Sequence, residues 1–241
     1  MIKLNYRIAG DRGLLIKFGE GLDEKILNRI IQFESNFKKS NVLKNVETIK
    51  GFCTLYISYD PLKIDINTLI SHVENIGQKL SYDQKVFSGK KIIEIPAVYG
   101  GKYGPDLPLV SELLDVSEEE VIQRHLSHDY LIYILGHICG AAFFKGKDEL
   151  FNLPRKKTPV ISYPAGSLLF AGGIGSALQV FDGPTGWYNI GRSPLRQWNV
   201  EMNPPVLIKA GDRIKYKRID ENQFQKIKRK VNQKTFRLKY L

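Results

Sequence analysis

Residues 153–194 restrict the possible folds more than any other part of the chain. The stretch runs from LPRKKTP to WYNIGRSP and holds 7 of the 21 glycines and 5 of the 11 prolines. Glycine opens positive φ, and proline fixes φ while removing an amide donor, so no long helix forms here. Short strands joined by tight turns remain, with backbone that can approach a ligand or partner closely. Pro164-Ala165-Gly166-Ser167, Ala171-Gly172-Gly173, Gly186-Trp187 and Ile190-Gly191-Arg192 mark those turns.

The first 80 residues follow a different pattern. Leu22, Ile26, Leu27, Ile30, Ile31 and Phe37 share one helical face, and Ile66, Leu69, Ile70, Val73, Ile76 and Leu80 share another. Short β-like runs precede each helix: KLNYRI and GLLIKF, then VETIK and FCTLYISY. The predicted order is ββαββα, with helices on one face of a mainly antiparallel sheet. Cys53 reads as a small buried hydrophobe in the fourth strand.

The polar run SYDQKVFSGKK, residues 81–91, reads as a linker. KIIEIPAVY resumes a strand, which Pro96 assigns to an edge or bulge. Residues 100–106 form a turn. Ser117 with Glu120 is a capping box that opens a helix through Val121, Ile122 and His125. YLIYILG is a strand, and Gly211-Asp212 turns into a last one. Many short strands with turn signals predict a β-barrel or sandwich for the second domain. The expected fold class is α+β, with domains at 1–82 and 90–220 and a basic extension at 221–241.

The net charge is +11, yet residues 222–241 contain seven basic and no acidic side chains. Without them the body holds 29 basic against 25 acidic residues. The excess is a terminal charge run, whose ordinary reading is a solvated surface, so no nucleic-acid partner is expected. Thr235–Leu241 alternates Phe236, Leu238 and Tyr240, a pattern suited to adding a strand to a partner's sheet. No apolar run reaches the length of a membrane span. The charged, alternating start leads us to expect no signal peptide, and two cysteines make no disulfide framework. A cytoplasmic protein with no membrane contact is the expectation.

Motifs for chemistry are sparse. A phosphate loop needs G-x-x-x-x-G-K-[ST]; at Gly146-Lys147 the next residue is Asp148 and the leading position is Ala141. His125, His128, His137 and Cys139 lack the paired spacing of a zinc site, so no metal is expected. No G-x-S-x-G elbow surrounds Ser167. Arg155 and Arg192 each lie beside turn residues, where a guanidinium can be held for a carboxylate or phosphate.

From Ile95 onward the residues form a series: Tyr99-Gly100-Gly101, Tyr103-Gly104-Pro105-Asp106-Leu107, His125 with Tyr130, Gly136 with Gly140, Asp148-Glu149 and Pro154-Arg155. It continues through Pro164–Ser167, Ala171–Gly173, Gly186-Trp187, Ile190–Pro194 and Ala210–Arg213. This series resembles the family that contains the B subunit of 5-oxoprolinase, allophanate hydrolase subunit 1 and the sporulation-kinase inhibitor, the carboxyltransferase domain, subdomain C and D. The resemblance implies a ferredoxin-like α/β sandwich followed by a cyclophilin-like β-barrel.

It also implies a larger partner subunit of related barrel fold, and ATP-dependent opening of 5-oxoproline to glutamate in the assembled complex. The alternative it offers is a regulator that binds and inhibits a histidine kinase. Candidate substrate- or partner-binding residues are His125, Tyr130, His137, Arg155, Pro164, Gly166, Ser167, Gly172, Gly173, Trp187 and Arg192. The chain departs from the family at His137, Cys139 and Ala141, where Phe, Pro and an aromatic are usual. It departs again at Val160, in place of an Arg, and over Ile174–Gln179, in place of Q-T-G-I-Y-P. Fewer polar groups remain to orient a substrate.

Overall fold

The structure is a computed structural model and describes residues 4–40, 46–80, 92–138 and 140–241. Linker residues 81–91 and Cys139 therefore lie outside the described residues. The chain divides into two compact units, Met1–Ser88 and Gly89–Leu241.

The first unit follows β1 (Asn5–Ile8), β2 (Gly13–Lys17), α1 (Glu24–Lys39), β3 (Glu47–Lys50), β4 (Thr54–Ser58) and α2 (Ile66–Gln78). Its sheet has the order β1-β2-β4-β3 with every pair antiparallel. β4 therefore lies between the two strands that α1 connects, a split β-α-β arrangement. The element order is ββαββα rather than βαββαβ, so the edge strand comes first in the chain. Asp23 caps α1 by accepting from the amides of Lys25 (2.6 Å) and Ile26 (3.2 Å), which leaves Leu22 ahead of the helix.

Leu14, Ile16, Leu55 and Ile57 from the sheet close one core with Ile30, Phe33, Phe37, Leu69 and Val73 from the helices. Cys53 falls in the bend before β4 and is half-buried, because β4 begins at Thr54, two residues after the start of its apolar run at Phe52. Glu34 is buried on α1 among Lys38 (2.9 Å), Lys50 (2.5 Å) and Thr48 (2.7 Å). Burial raises its pKa, but these three partners outweigh it and hold the carboxyl down at about 2.

The second unit contains β5 (Ile92–Tyr99), α3 (Leu107–Leu114), α4 (Glu118–Ser127), β6 (Asp129–Leu135), β7 (Ala142–Lys145), β8 (Val160–Tyr163) and β9 (Ser167–Ala171). There follow β10 (Ile174–Ser176), β11 (Gly183–Thr185), β12 (Tyr188–Arg192), β13 (Arg213–Arg218) and α5 (Glu221–Asn232). Seven strands close a barrel in the order β10-β7-β6-β13-β5-β12-β9, while β8 and β11 form a separate ribbon. Ile95, Tyr130, Ile132, Phe144, Phe170, Ile190, Ile214 and Tyr216 belong to its single core.

Helix α3 covers a stretch between the 100–106 turn and Ser117 for which the sequence pattern predicts no element. Pro108 occupies its first turn, where a missing donor costs nothing. Half of the expected capping box forms: Ser117 Oγ accepts from the Glu120 amide (3.1 Å), while the Glu120 carboxylate pairs with Arg124.

The C-terminus is integrated into this unit. Phe224, Ile227 and Val231 recur at helical spacing; Ile227 and Val231 pack on the barrel core and Phe224 on the Tyr103 ring (4.8 Å), while Lys226, Lys228, Arg229 and Lys230 face solvent. The last residues pair with β5: the Glu94 amide donates to Lys239 O (3.0 Å) and the Leu241 amide to Ile92 O (2.8 Å). The strand expected to join a partner's sheet thus joins this chain's own.

Pro96 is explained by the same edge. Ile92 and Glu94 direct their amides to the tail, and β12 takes over at Val98. Pro96, in phase with these residues, points its missing donor into the gap between them. Deleting residues 235–241 removes those bonds and the packing of Phe236 and Leu238. We expect a loss of about 2 kcal/mol, a Tm fall on the order of 5 °C. An unchanged thermal melt would contradict the docking.

Candidate functional site

The barrel wall and the β8–β11 ribbon border a cleft of about 370 Å³. Three of the candidate residues, His137, Arg155 and Trp187, meet there. Trp187 stands between β11 and β12, with its ring edge-to-face against Phe143 of β7 at 5.7 Å. The Arg155 guanidinium lies over the Trp187 ring at 5.7 Å. The Lys156 amide donates to Gly186 O (2.8 Å), which ties the Arg155 segment to the Trp187 turn. Gln179, Thr185 and Ser176 supply neutral polar groups, and no carboxylate lines the cleft among the described residues.

The other candidates lie elsewhere, each held by local bonding. His125 is buried in an aromatic cluster, 4.4 Å from the Tyr216 ring centre and 5.7 Å from that of Tyr130. Its Nδ1 is 2.9 Å from Tyr99 Oη, and Tyr130 Oη donates to its carbonyl (2.8 Å). The His125/Tyr130 spacing therefore locks the end of α4 onto β6. Ser167 is fully buried; its Oγ donates to Pro164 O (2.8 Å) and accepts from Asn189 Nδ2 (3.2 Å). Gly166, at φ +85°, backs onto Ser193 O so closely that a Cβ would lie 2.3 Å away. Arg192 Nε donates to Ala165 O (2.8 Å). Gly172 and Gly173 turn β9 into β10, with amides bonded to Leu153 O and Phe151 O. Turn-forming power in the sequence marks tertiary seams here as readily as ligand contact.

Burial pushes the His125 pKa down to about 3, so the folded state holds it neutral. An unfolded histidine takes up its proton near pH 6.5. Between those values the unfolded chain binds the extra proton, so stability is complete above about pH 6.5 and falls as pH drops. The slope from this residue reaches about 1.4 kcal/mol per pH unit. Urea midpoints at pH 7.5 and 5.2 should separate for the native protein. H125F should lose much of that separation, and equal slopes in both proteins would count against the buried neutral imidazole.

A second polar cluster has no signature in the sequence. Asp106 precedes α3 without capping it; its Oδ2 instead accepts from Lys156 Nζ (2.6 Å), Tyr163 Oη (2.5 Å) and the Asn189 amide (2.7 Å). Lys156 Nζ also reaches Tyr163 Oη at 2.7 Å and lies over the Tyr163 and Tyr188 rings. Both charged side chains are nearly buried, 11% exposed for Lys156 and 12% for Asp106. Burial, then the Asp106 carboxylate, pushes the Tyr163 phenol well above its ordinary range and keeps it a neutral donor. The adjacent residues Arg155 and Lys156 thus diverge, one toward the cleft and one into this cluster. Asp106 is visible in the sequence only as the end of a turn motif.

The sequence profile of the carboxyltransferase domain, subdomain C and D, matches residues 4–208. The chain belongs to that family. It is 32% identical over 234 residues to a protein of Bacillus subtilis (strain 168) named as the B subunit of 5-oxoprolinase, and the match covers 92% of this chain and 96% of that one. Among solved structures, a conserved uncharacterized protein from Pyrococcus horikoshii is 33% identical with a TM-score of 0.54. That match covers 91% of this chain and all of the other. The urea amidolyase of K. lactis superposes with a TM-score of 0.79 at 18% identity, a likeness of fold. It takes in 99% of this chain but 16% of that protein. Among the described residues, no helix is long and apolar enough to cross a membrane.

Proposed function

We propose that this carboxyltransferase-family chain is one subunit of an ATP-dependent amide hydrolase of the 5-oxoprolinase type, working with a larger subunit of related barrel fold. The observation that carries this reading is the near end-to-end match to the 5-oxoprolinase component of Bacillus subtilis. The cleft bearing Arg155 and Trp187 is the substrate-facing surface in this reading.

The nucleotide is assigned to the partner. The Gly-rich turn before α3 places the Asp106 carboxylate at the helix start and Pro108 in its first turn. A phosphate there would meet a like charge and one donor fewer, the reverse of a phosphate-binding helix N-terminus. The test is co-expression with a larger barrel subunit, purification of the complex, and an assay of ATP turnover with 5-oxoproline and with larger cyclic amide acids. The complex should turn over and the isolated chain should not. A verified complex without turnover on 5-oxoproline or another cyclic amide acid would refute the proposal. The kinase-inhibitor alternative, which rested on the replaced pocket residues and on the tail, gains no observation of its own, and the tail strand is bonded to β5.

A further inference from the structure

We infer that the Arg155–Trp187 cleft takes a monoanionic carboxylate whose body is flat, apolar and larger than a five-membered lactam ring. The inference rests on the reading of this cleft as the functional site and specifies what that site selects.

The sign of the ligand charge follows from the cations. Lys156 is neutralised by Asp106 and Arg213 by Asp129, whereas Arg155 has no carboxylate partner among the described residues. A guanidinium resting on an aromatic face keeps its N–H edge free for bidentate contact with a carboxylate. No acidic side chain lines the cleft, among the described residues, to oppose an anion.

The body of the ligand follows from the walls. Phe143 and Trp187 make an edge-to-face corner, and Ile138 and Phe181 stand 42% and 46% exposed at the cleft. Large apolar groups left in water around a concavity mark a binding surface. At about 370 Å³ the cleft falls in the range of small-molecule sites, which begins at about 300 Å³. A bare lactam acid would leave Phe143 and Phe181 largely uncovered. The Gln179 side-chain amide, without a hydrogen-bond partner among the described residues, is the neutral polar group available to orient a ligand amide.

Two tryptophans are present, so W198F leaves Trp187 as the sole indole reporter. Its emission is titrated on the isolated chain with phenylacetate, phenylacetamide and 5-oxoproline. We expect saturable quenching by phenylacetate, with phenylacetamide and 5-oxoproline each about tenfold weaker or more. R155M should erase the preference for acid over amide; Arg155 is exposed, and an unchanged near-ultraviolet circular dichroism spectrum verifies the fold.

Equal binding of acid and amide, or a preference that survives R155M, would overturn the charge assignment. Tighter binding of 5-oxoproline than of phenylacetate would overturn the apolar body. Absence of saturable binding by any probe would overturn the inference as a whole. None of these results touches the subunit assignment, which stands or falls on turnover by the complex.

Discussion

Replacing Lys156 with methionine is expected to destabilise the barrel unit by about 3 kcal/mol or more, a Tm fall on the order of 10 °C. Methionine retains most of the apolar stem that packs over Tyr163 and Tyr188, so the loss isolates the ammonium group. Without it the Asp106 carboxylate stays nearly buried, with Tyr163 Oη and the Asn189 amide as its remaining donors. Breaking a buried pair from one side leaves an uncompensated charge, which costs more than the intact pair contributes. D106N should cost less, because a carboxamide oxygen can still accept from the Asn189 amide. The double variant D106N/K156M should be more stable than the sum of the singles implies. Urea unfolding of the four proteins measures this cycle. A K156M midpoint within about 0.5 kcal/mol of the native protein would show the pair to be solvated.

Gly104→Ala should have an effect of comparable size for a steric reason. A Cβ at this position would lie 2.0 Å from Ile190 O and 2.6 Å from the Gly191 amide nitrogen. Both obstacles are backbone atoms of β12, so no rotamer change relieves the clash. The 100–106 turn must retreat, and with it go the bonds from the Gly100 amide to Ile190 O (3.1 Å) and the Asp106 amide to Asn189 O (3.0 Å). Overpacking costs about 1–3 kcal/mol, and loss of these bonds places G104A at or above the top of that range. Neighbouring Gly101 is the control. It has φ +50° with nothing within 4 Å of a Cβ, so G101A incurs only the left-handed strain of about 1 kcal/mol. Equal melting temperatures for the two variants would contradict the close approach of turn and strand.

The two substitutions separate what is readable in the residues from what is not. Gly104 stands in one of the turn motifs, and its type already announces a special backbone position; the atom it avoids belongs to a strand 86 residues further on. Lys156 carries no signal, since a lysine beside an arginine after a proline reads as surface charge. Of the candidate residues, the cleft gathers His137, Arg155 and Trp187, while His125, Tyr130 and Ser167 are bonded parts of the core.

The sequence by itself determined the elements whose causes are local. Period 3.6 predicted both N-terminal helices, because an apolar stripe is a property of one segment. Glycine and proline predicted a second unit of short strands, because they act on φ and on amide donors within a turn. The motif series determined the family, since order and spacing along a chain carry that information. Tertiary structure alone decided the rest. Barrel closure brought Asp106 to Lys156 across 50 residues and to Tyr163 across 57. The unpaired edge of β5 captured the tail, because its backbone donors and acceptors needed partners that β12 supplies only from Val98 onward. Arg155 faces the cleft partly because its neighbour Lys156 found a buried carboxylate. Long-range pairing of charges and of backbone edges leaves no period in a sequence, and it is what shaped this site.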